Sequence, residues 1–582
     1  MLRLTRLLLA SVALCSAFLP GTEAAEVRQT LWGFDGRVVP SRINPLSVLL
    51  ANPGRNSFEG MVTLKQGGGL GGRSGALYVQ PVFIGPQSER WVQFYPFVSS
   101  PDEFTLEWGR GANDRLTLDP PTFGPPARVL LLEADNPFAA SAALKSFPEQ
   151  LFPATVSATD ALDAVTLDHA PRWEPARREA FLDWVKRGGT LLVLPGQNGE
   201  YPAFTEQLGP LNIAGESARV GAGTVLRAKL PRGEVSEQHF AERGFPAPEL
   251  KTSKEPVAHQ SEEAFFQRLA RLNQPEVRLW LLNSLAALYL LIIGPVQYRL
   301  GRRLDYRLSL AFFAGTVALF GWVFSVVGRR GYDEAQAVNA VSIARALGDS
   351  RYDVTQWASA FVTTGNLYQL THAAPSNLYA AVSHDVIRGE ILSGKDGVFR
   401  SDIPLFSSRE FIHRGVLLGD DTSVTVEQWE ETDTAAQKLV LKPGPNFPIN
   451  AVRIAAKLRD NFYEMELKEG WLVSKETGVT FETFLPKDEV RTSLYAHDRI
   501  SGAPAERVDQ LHRILRTTFP MLLARAVEGR DDFTHFITRP PPAADRLQLY
   551  IFAESPAGFH LRTPGFARQM SYTLYVQEVF KP

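Results

Sequence analysis

The sequence predicts a multidomain membrane protein: a β-sandwich, an α/β unit, two transmembrane helices, and then a mainly β C-terminal region. Three observations carry that prediction. Two charge-free apolar runs stand in mid-chain, short β-prone segments punctuated by turn residues lie on both sides of them, and one stretch before them alternates strand with helix. At roughly 100–200 residues per domain, a chain of 582 residues is too long for one core. Its 61 Lys and Arg against 63 Asp and Glu give a formal charge of −2, which supplies no general attraction to nucleic acid or to anionic lipid. An apolar share of 45 % excludes both a disordered chain and a many-helix transporter.

Residues 1–25 are expected to be a signal peptide. Arg3 and Arg6 precede an uncharged stretch from Leu7 to Leu19, and the small residues Ala24 and Ala25 follow, which is the order of a secretory signal. An uncleaved anchor is the other reading. A lipoprotein reading of Cys15 meets Leu14 where a lipobox would place Gly, Ala or Ser. Cys15 is the only cysteine, so cleavage near Ala25 leaves no thiol for a disulfide, a thiolate metal site or a cysteine nucleophile.

Residues 26–120 carry the segments Ser47–Leu50, Gly60–Leu64, Ala76–Val79, Trp91–Tyr95 and Phe104–Trp108, separated by Asn-Pro-Gly, Gly-rich and Pro-Asp turns. That spacing predicts an antiparallel sandwich of immunoglobulin-like type, suited to presentation or docking. Gly67, Gly69 and Gly72 have the spacing of a dinucleotide fingerprint, but a strand-like segment follows where the mechanism needs a helix, so a hairpin loop is expected. Pro120-Pro121 and Pro125-Pro126 mark a stiff boundary.

The α/β unit spans 127–235. Val129–Leu132 reads as a buried strand, Asn136-Pro137 starts a helix reaching Phe147, and Ala164–Leu167 is the next strand. Pro175–Arg187 reads as a helix with Phe181, Trp184 and Val185 on one face, stopped by Gly188-Gly189 before the strand Thr190–Leu194. A hairpin over Val220–Val225 closes the unit. Alternating strand and helix predicts a parallel sheet, and such sheets bind ligands at the carboxyl ends of their strands. The groups expected there are Glu133, Asp135, Asp168, His169 and Gln197. A carboxylate beside a histidine can perform acid–base work, or hold a sugar or peptide by hydrogen bonds. Helix-start and turn roles account for the same residues: Asp135 and Asn136 as caps, His169–Pro171 and Pro195–Gly199 as turns. No catalytic residue is assigned, and no cofactor is expected.

After a linker and helix over 236–278, the runs 279–296 and 308–327 are each long enough to cross a bilayer of roughly 30 Å. Asn283 and Pro295 interrupt the first. Arg299, Arg302, Arg303 and Arg307 crowd the loop 297–307 against Asp305 alone, which assigns that loop to the cytoplasm. Arg329 and Arg330 weaken the asymmetry. The expected location is the inner membrane, two-pass after signal cleavage, with both large regions extracytoplasmic. Residues 330–582 carry β-like segments at Val338–Ile343, Leu378–Val382, Ser423–Val426, Gly470–Val473 and Ser571–Val576, and one helix over Pro504–Ala526. Glu427, Glu430 and Glu431 read as a solvated face. Glu410 and His413 have Glu-x-x-His spacing, but a carboxylate-bridged metal site needs a second copy on facing helices, so no metal is expected.

Two resemblances follow from these motifs. The stretch Phe181–Pro195, helix then Gly188-Gly189 then strand, resembles the class I glutamine amidotransferase-like domain. That family's amidotransferases use a cysteine nucleophile, so the resemblance implies a degenerate member serving binding or packing. Leu288–Asp305, with Gly294-Pro295 and its arginines, is similar to uncharacterised bacterial membrane proteins in which a sandwich and an amidotransferase-like domain precede a transmembrane hairpin. The resemblance implies an envelope protein partner in a system of von Willebrand A-domain proteins and MoxR-type ATPases. The expected function is non-enzymatic: a membrane-anchored envelope protein presenting binding domains to partner proteins or envelope polymers. The alternative is a cell-envelope hydrolase or carbohydrate-processing enzyme using the strand-end groups.

Overall fold

The computed structural model describes residues 25–67, 76–109, 111, 114–133, 143–252, 262–272, 279–327, 335–381, 389–431, 436–448, 450–475, 478–486, 504–528, 535–538 and 545–582. Residues 1–24 of the expected signal peptide, Asp135, the expected helix start at Asn136-Pro137, Gly69, Gly72, Arg329 and Arg330 lie outside them. Within them the protein is mostly β-sheet, with two long apolar helices in mid-chain.

The largest sheet has twelve strands, all from the chain after the apolar helices. Its centre is Ala337–Gly348, paired antiparallel with Arg351–Val362 and parallel with Arg568–Phe580, the last strand of the chain. Ala337–Ile343 reads as a continuous buried run because the strand is covered on both faces. One covering layer is helical. Phe265 of the helix Glu262–Arg271 stacks on Trp357, with ring centroids 4.9 Å apart. Phe519 meets Phe552 at 5.6 Å. The single helix expected over Pro504–Ala526 is two helices, Pro504–Arg516 and Phe519–Glu528. Thr517 and Thr518 end the first by turning their hydroxyls back onto the Ile514 and Leu515 carbonyls, at 2.7 and 2.6 Å.

Strands from the two sides of the apolar helices are hydrogen-bonded to each other. A seven-stranded sheet runs Asn366–Leu370, Val398–Ile403, Gly389–Leu392, Ala76–Ile84, Phe58–Gln66, Phe104–Glu107 and Arg115–Leu118. Its seam is the parallel pairing of Gly389–Leu392 with Ala76–Ile84. Glu249–Thr252 likewise pairs with His535–Thr538. One core holds Val62, Leu64 and Phe104 from the first half with Ile391, Phe399 and Phe411 from the second, and takes in Val48, Leu50 and Val92 of the three-stranded sheet Glu26–Trp32, Leu46–Asn52 and Ser88–Phe94. Phe58–Gln66 and Ala76–Ile84 are antiparallel neighbours, so Gly67 opens a hairpin connection.

The α/β sheet runs Lys145–Pro148, Ala127–Leu132, Leu162–Leu167, Thr190–Val193, Gly223–Arg227 and Ser217–Val220, parallel except for the closing hairpin. The helix expected to reach Phe147 does not: Lys145–Pro148 is an edge strand, and Phe147 is fully buried opposite Leu131. The helix Pro175–Lys186 lays Phe181, Trp184 and Val185 into the core. Gly188 then takes a φ of +125°, and a Cβ on Gly189 would stand 2.5 Å from the Trp184 ring, which is why glycine stops this helix.

The apolar helices run Leu281–Gly301 and Tyr306–Val327. They bury 0 % and 11 % of their apolar windows inside the protein, so they lie outside its cores and leave their apolar side chains uncovered. At 1.5 Å per residue the second is about 33 Å long, enough to cross a membrane. Pro295 does not end the first, because a π-turn over Ile292–Val296 widens the helix around it. The pair is held by Tyr289 against Phe320 at 5.1 Å and by Gln297 Nε2 donating to the Ser309 carbonyl at 2.9 Å.

Candidate functional site

The carboxyl ends of the parallel strands gather four charged side chains. Glu149 follows the edge strand Lys145–Pro148, Asp168 and His169 follow Leu162–Leu167, and Arg232 lies past Gly223–Arg227. His169 Nδ1 donates to Asp168 Oδ1 at 3.0 Å and Nε2 to Glu149 Oε2 at 3.1 Å. Arg232 clamps Asp168 through Nε to Oδ2 at 2.7 Å and Nη2 to Oδ1 at 2.5 Å. Beneath them Trp173 donates to the Glu149 carbonyl at 2.8 Å and stacks on Phe152 at 5.1 Å.

These contacts fix the charge states. Burial alone favours a neutral imidazole, but the hydrogen bonds and charges of Asp168 and Glu149 outweigh it and raise His169 to about 9. Burial likewise opposes ionisation of Asp168, yet the bonds from His169 and Arg232 hold it down at about 2. The group is therefore an imidazolium and a guanidinium alternating with two carboxylates. Both ring nitrogens of His169 are donors to fixed partners, so the ring has no lone pair with which to take a proton from a substrate.

Of the expected site residues, Asp168 and His169 belong to this cluster. Gln197 is exposed in the turn after Thr190–Val193, a turn that lies against the Asp168 carbonyl: a Cβ on Gly196 would stand 3.2 Å from it. Glu133 is half-buried at the end of Ala127–Leu132 and makes no hydrogen bond to the cluster among the described residues. Glu149 and Arg232 were not legible. Glu149 would have been, had Lys145–Pro148 been read as a strand, since it then occupies a strand's carboxyl end.

A second constellation joins the α/β unit to the large sheet. Arg187, at the end of the helix Pro175–Lys186, reaches Asp160 at 3.0 Å and Asp353 at 2.6 Å. Arg414 contacts the same two carboxylates, Asp353 at 2.7 Å and Asp160 in a bidentate pair. Ser157 donates to Asp353 at 2.7 Å. Asp353 and Arg414 are buried, and although burial resists the charge, the two arginines hold both aspartates below the usual carboxylate range. Nearby, Arg351 bridges Asp183 at 2.7 Å and Glu179 at 2.6 Å. Asp160, Arg187, Asp353 and Arg414 come from opposite sides of the apolar helices, and no sequence spacing links them.

Glu410 and His413 point to opposite faces of the strand Ser407–Leu418, because side chains alternate along a strand. Ser359 and Ser408 donate to Glu410, and His413 turns to Asn377. Among the described residues there is no group of three or more His, Cys, Asp or Glu placed to hold a metal ion.

No protein-family model matches the chain, and no curated protein is significantly similar to it. Solved structures with a likeness include a Paenibacillus cycloisomaltooligosaccharide glucanotransferase complexed with cycloisomaltoheptaose, at 8 % identity and a TM-score of 0.16 over 78 % of this chain and 98 % of that one. A β-glucuronidase of glycoside hydrolase family 2 is similar at 9 % identity and 0.14, over 97 % of this chain and 62 % of that one. A glycoside hydrolase family 2 member from Bacteroides cellulosilyticus is similar at 6 % and 0.15, over 95 % and 78 %. At such TM-scores these likenesses carry no argument about fold or chemistry.

Proposed function

We propose that the protein is a non-enzymatic, membrane-anchored envelope protein whose outward domains bind partner proteins or envelope polymers, and whose helical hairpin pins those domains to the membrane surface. The observation that carries this reading is the sharing of sheets across the helix pair, Ala76–Ile84 with Gly389–Leu392 and Glu249–Thr252 with His535–Thr538. Strands that exchange backbone hydrogen bonds lie on one side of a bilayer, and two crossings return the chain to the side it left. The arginines at the turn, Arg299, Arg302, Arg303 and Arg307, support an inward bend of an inner-membrane hairpin and extracytoplasmic lobes. The doubly wound strand order supports an amidotransferase-like α/β domain, and the two sheets that pack Val48, Leu50, Val62, Leu64 and Phe104 into one core, shared with the second half of the chain, support a sandwich. An envelope partner of the von Willebrand A-domain and MoxR type remains the partner this reading names. The saturated His169 favours a structural or binding role for the strand ends over hydrolysis.

Single cysteines test the arrangement in a Cys15→Ser background. Lys395→Cys lies on the exposed turn between Gly389–Leu392 and Val398–Ile403 of the seven-stranded sheet, and Leu304→Cys on the hairpin bend. A membrane-impermeant maleimide added to spheroplasts is expected to label Lys395→Cys at once and Leu304→Cys only after lysis. The reverse pattern contradicts the reading.

A further inference from the structure

A buried pair of neutral histidines sits where the large sheet meets the seven-stranded sheet. His372 and His413 stack with ring centroids 3.7 Å apart and planes 12° from parallel. Their partners fix their hydrogens. Gln356 Nε2 donates to the Phe559 carbonyl at 3.2 Å, so its Oε1 accepts from His372 Nε2 at 2.8 Å. His372 Nδ1 then accepts from the Tyr379 hydroxyl at 3.0 Å. Asn377 turns its amide nitrogen toward the carbonyls of His372 and Ala374, at 3.5 and 3.4 Å, so its Oδ1 accepts from His413 Nε2 at 2.8 Å. His413 Nδ1 is left buried with no hydrogen-bond partner among the described residues.

Each ring thus holds one hydrogen, and a second puts a charge where water does not reach. A proton on His372 Nδ1 forces the Tyr379 hydroxyl to turn its own hydrogen away, and one on His413 Nδ1 is a buried donor without an acceptor among the described residues. The charged and titratable groups nearby do not help. Arg414 follows His413 in sequence and engages Asp160 and Asp353, Arg409 lies over Phe399 behind Tyr379, and His560 lines a small cavity with Gln356 and Ser571. Burial, with His560 adding to it, depresses His372 to about 3. Burial, then His372 and Arg414, push His413 well below its ordinary value.

The His413 ring and the His372 carbonyl hold the Asn377 side chain. The backbone of Asn377 exchanges two hydrogen bonds with Gly394, N to O at 2.9 Å and O from N at 3.1 Å. Gly394 turns between Gly389–Leu392 and Val398–Ile403, the strands that carry the seven-stranded sheet across to Ala76–Ile84. A Cβ on Gly397 would stand 2.2 Å from the Asn377 carbonyl, so the backbones are in close contact there.

We propose that the stacked His372 and His413 form an acid-sensitive latch: the closed seam between the large sheet and the seven-stranded sheet keeps both rings neutral and dry, and acid favours the opened seam, in which the rings reach water and charge. The device does not depend on which way the protein faces in the membrane. A histidine that titrates at about 6.5 when released and near 3 when latched favours the open form about 100-fold more at pH 4.5 than at pH 7.5. His413, released with His372, shifts the balance in the same direction, so about 100-fold is the lower bound.

Hydrogen exchange on the full-length protein in detergent, at pH 7.5 and 4.5 with intrinsic rates corrected, reads the latch directly. Opening of 372–381, 389–403 and 407–418 is expected to rise at least about 100-fold in acid. In the variant His372→Gln/His413→Gln the ratio between the two pH values is expected to fall by at least tenfold, whatever its stability at pH 7.5. Equal opening of the wild type at both pH values, or an unchanged ratio in the variant, overturns the proposal. If the variant does not fold, titration of 13C-labelled histidines in the wild type decides: both rings are expected to stay neutral in the closed fold to pH 5, and a ring charging near 6.5 with the seam intact overturns it.

Discussion

At the scale of single residues, His169 separates a structural strand-end cluster from a catalytic one. Its folded pKa of about 9 lies above the ordinary 6.5, so its contribution to stability is fully present below pH 6.5 and is lost as pH rises through 9. The shift corresponds to roughly 3 kcal/mol. Denaturation of the detergent-solubilised protein at pH 6.5, 8 and 10 is expected to show that loss in the wild type and not in His169→Gln. A free ring titrating near 7 would instead mark a general base. The buried arginines make a second prediction: Arg414→Met leaves Asp160 and Asp353 with Arg187 alone, and a thermal shift equivalent to about 3–5 kcal/mol is expected. Asp168 and His169 were legible because a polar pair directly after an apolar strand marks a carboxyl end. Asp160, Arg187, Asp353 and Arg414 were not, because contacts between residues separated by up to 254 positions leave no local pattern.

At the scale of elements, the legible features were those with strong periodicity and punctuation. Pro175–Lys186 combines a proline start, a buried Phe181-Trp184-Val185 face and a glycine stop. The steric reason for its glycines makes a prediction. A Cβ on Gly223 would stand 1.9 Å from the Val185 carbonyl, whereas Gly209 has open space around it. Gly223→Ala is expected to destabilise by at least about 1–3 kcal/mol, and Gly209→Ala by far less, as judged by chemical denaturation. Short edge strands were not legible. Lys145–Pro148 has four residues, too few to show a period, and the helix-start chemistry of Asn136-Pro137 before it favoured a helix. The helix break at Thr517 and Thr518 was equally hidden, since hydroxyl back-bonding ends a helix without glycine or proline at the break.

At the scale of the whole molecule, two apolar segments predicted a hairpin, but nothing local to either half predicted that its flanks share sheets. Parallel pairing of Gly389–Leu392 with Ala76–Ile84 joins residues more than 300 positions apart in sequence, and its hydrogen bonds are backbone bonds that any side chain permits. Both flanks must therefore assemble on one side before the seven-stranded sheet is complete. The measurement that tests this most directly places Leu77→Cys and Glu390→Cys, neighbours across the seam, in a Cys15→Ser chain with a protease site inserted between Arg302 and Asp305. Intact spheroplasts are treated with a short, membrane-impermeant bis-methanethiosulfonate cross-linker, which forms a disulfide with each cysteine, then lysed and cleaved. One band joining the two halves under non-reducing conditions is the expected result. Halves that separate, or that join only when the cross-linker is added after lysis, contradict the account.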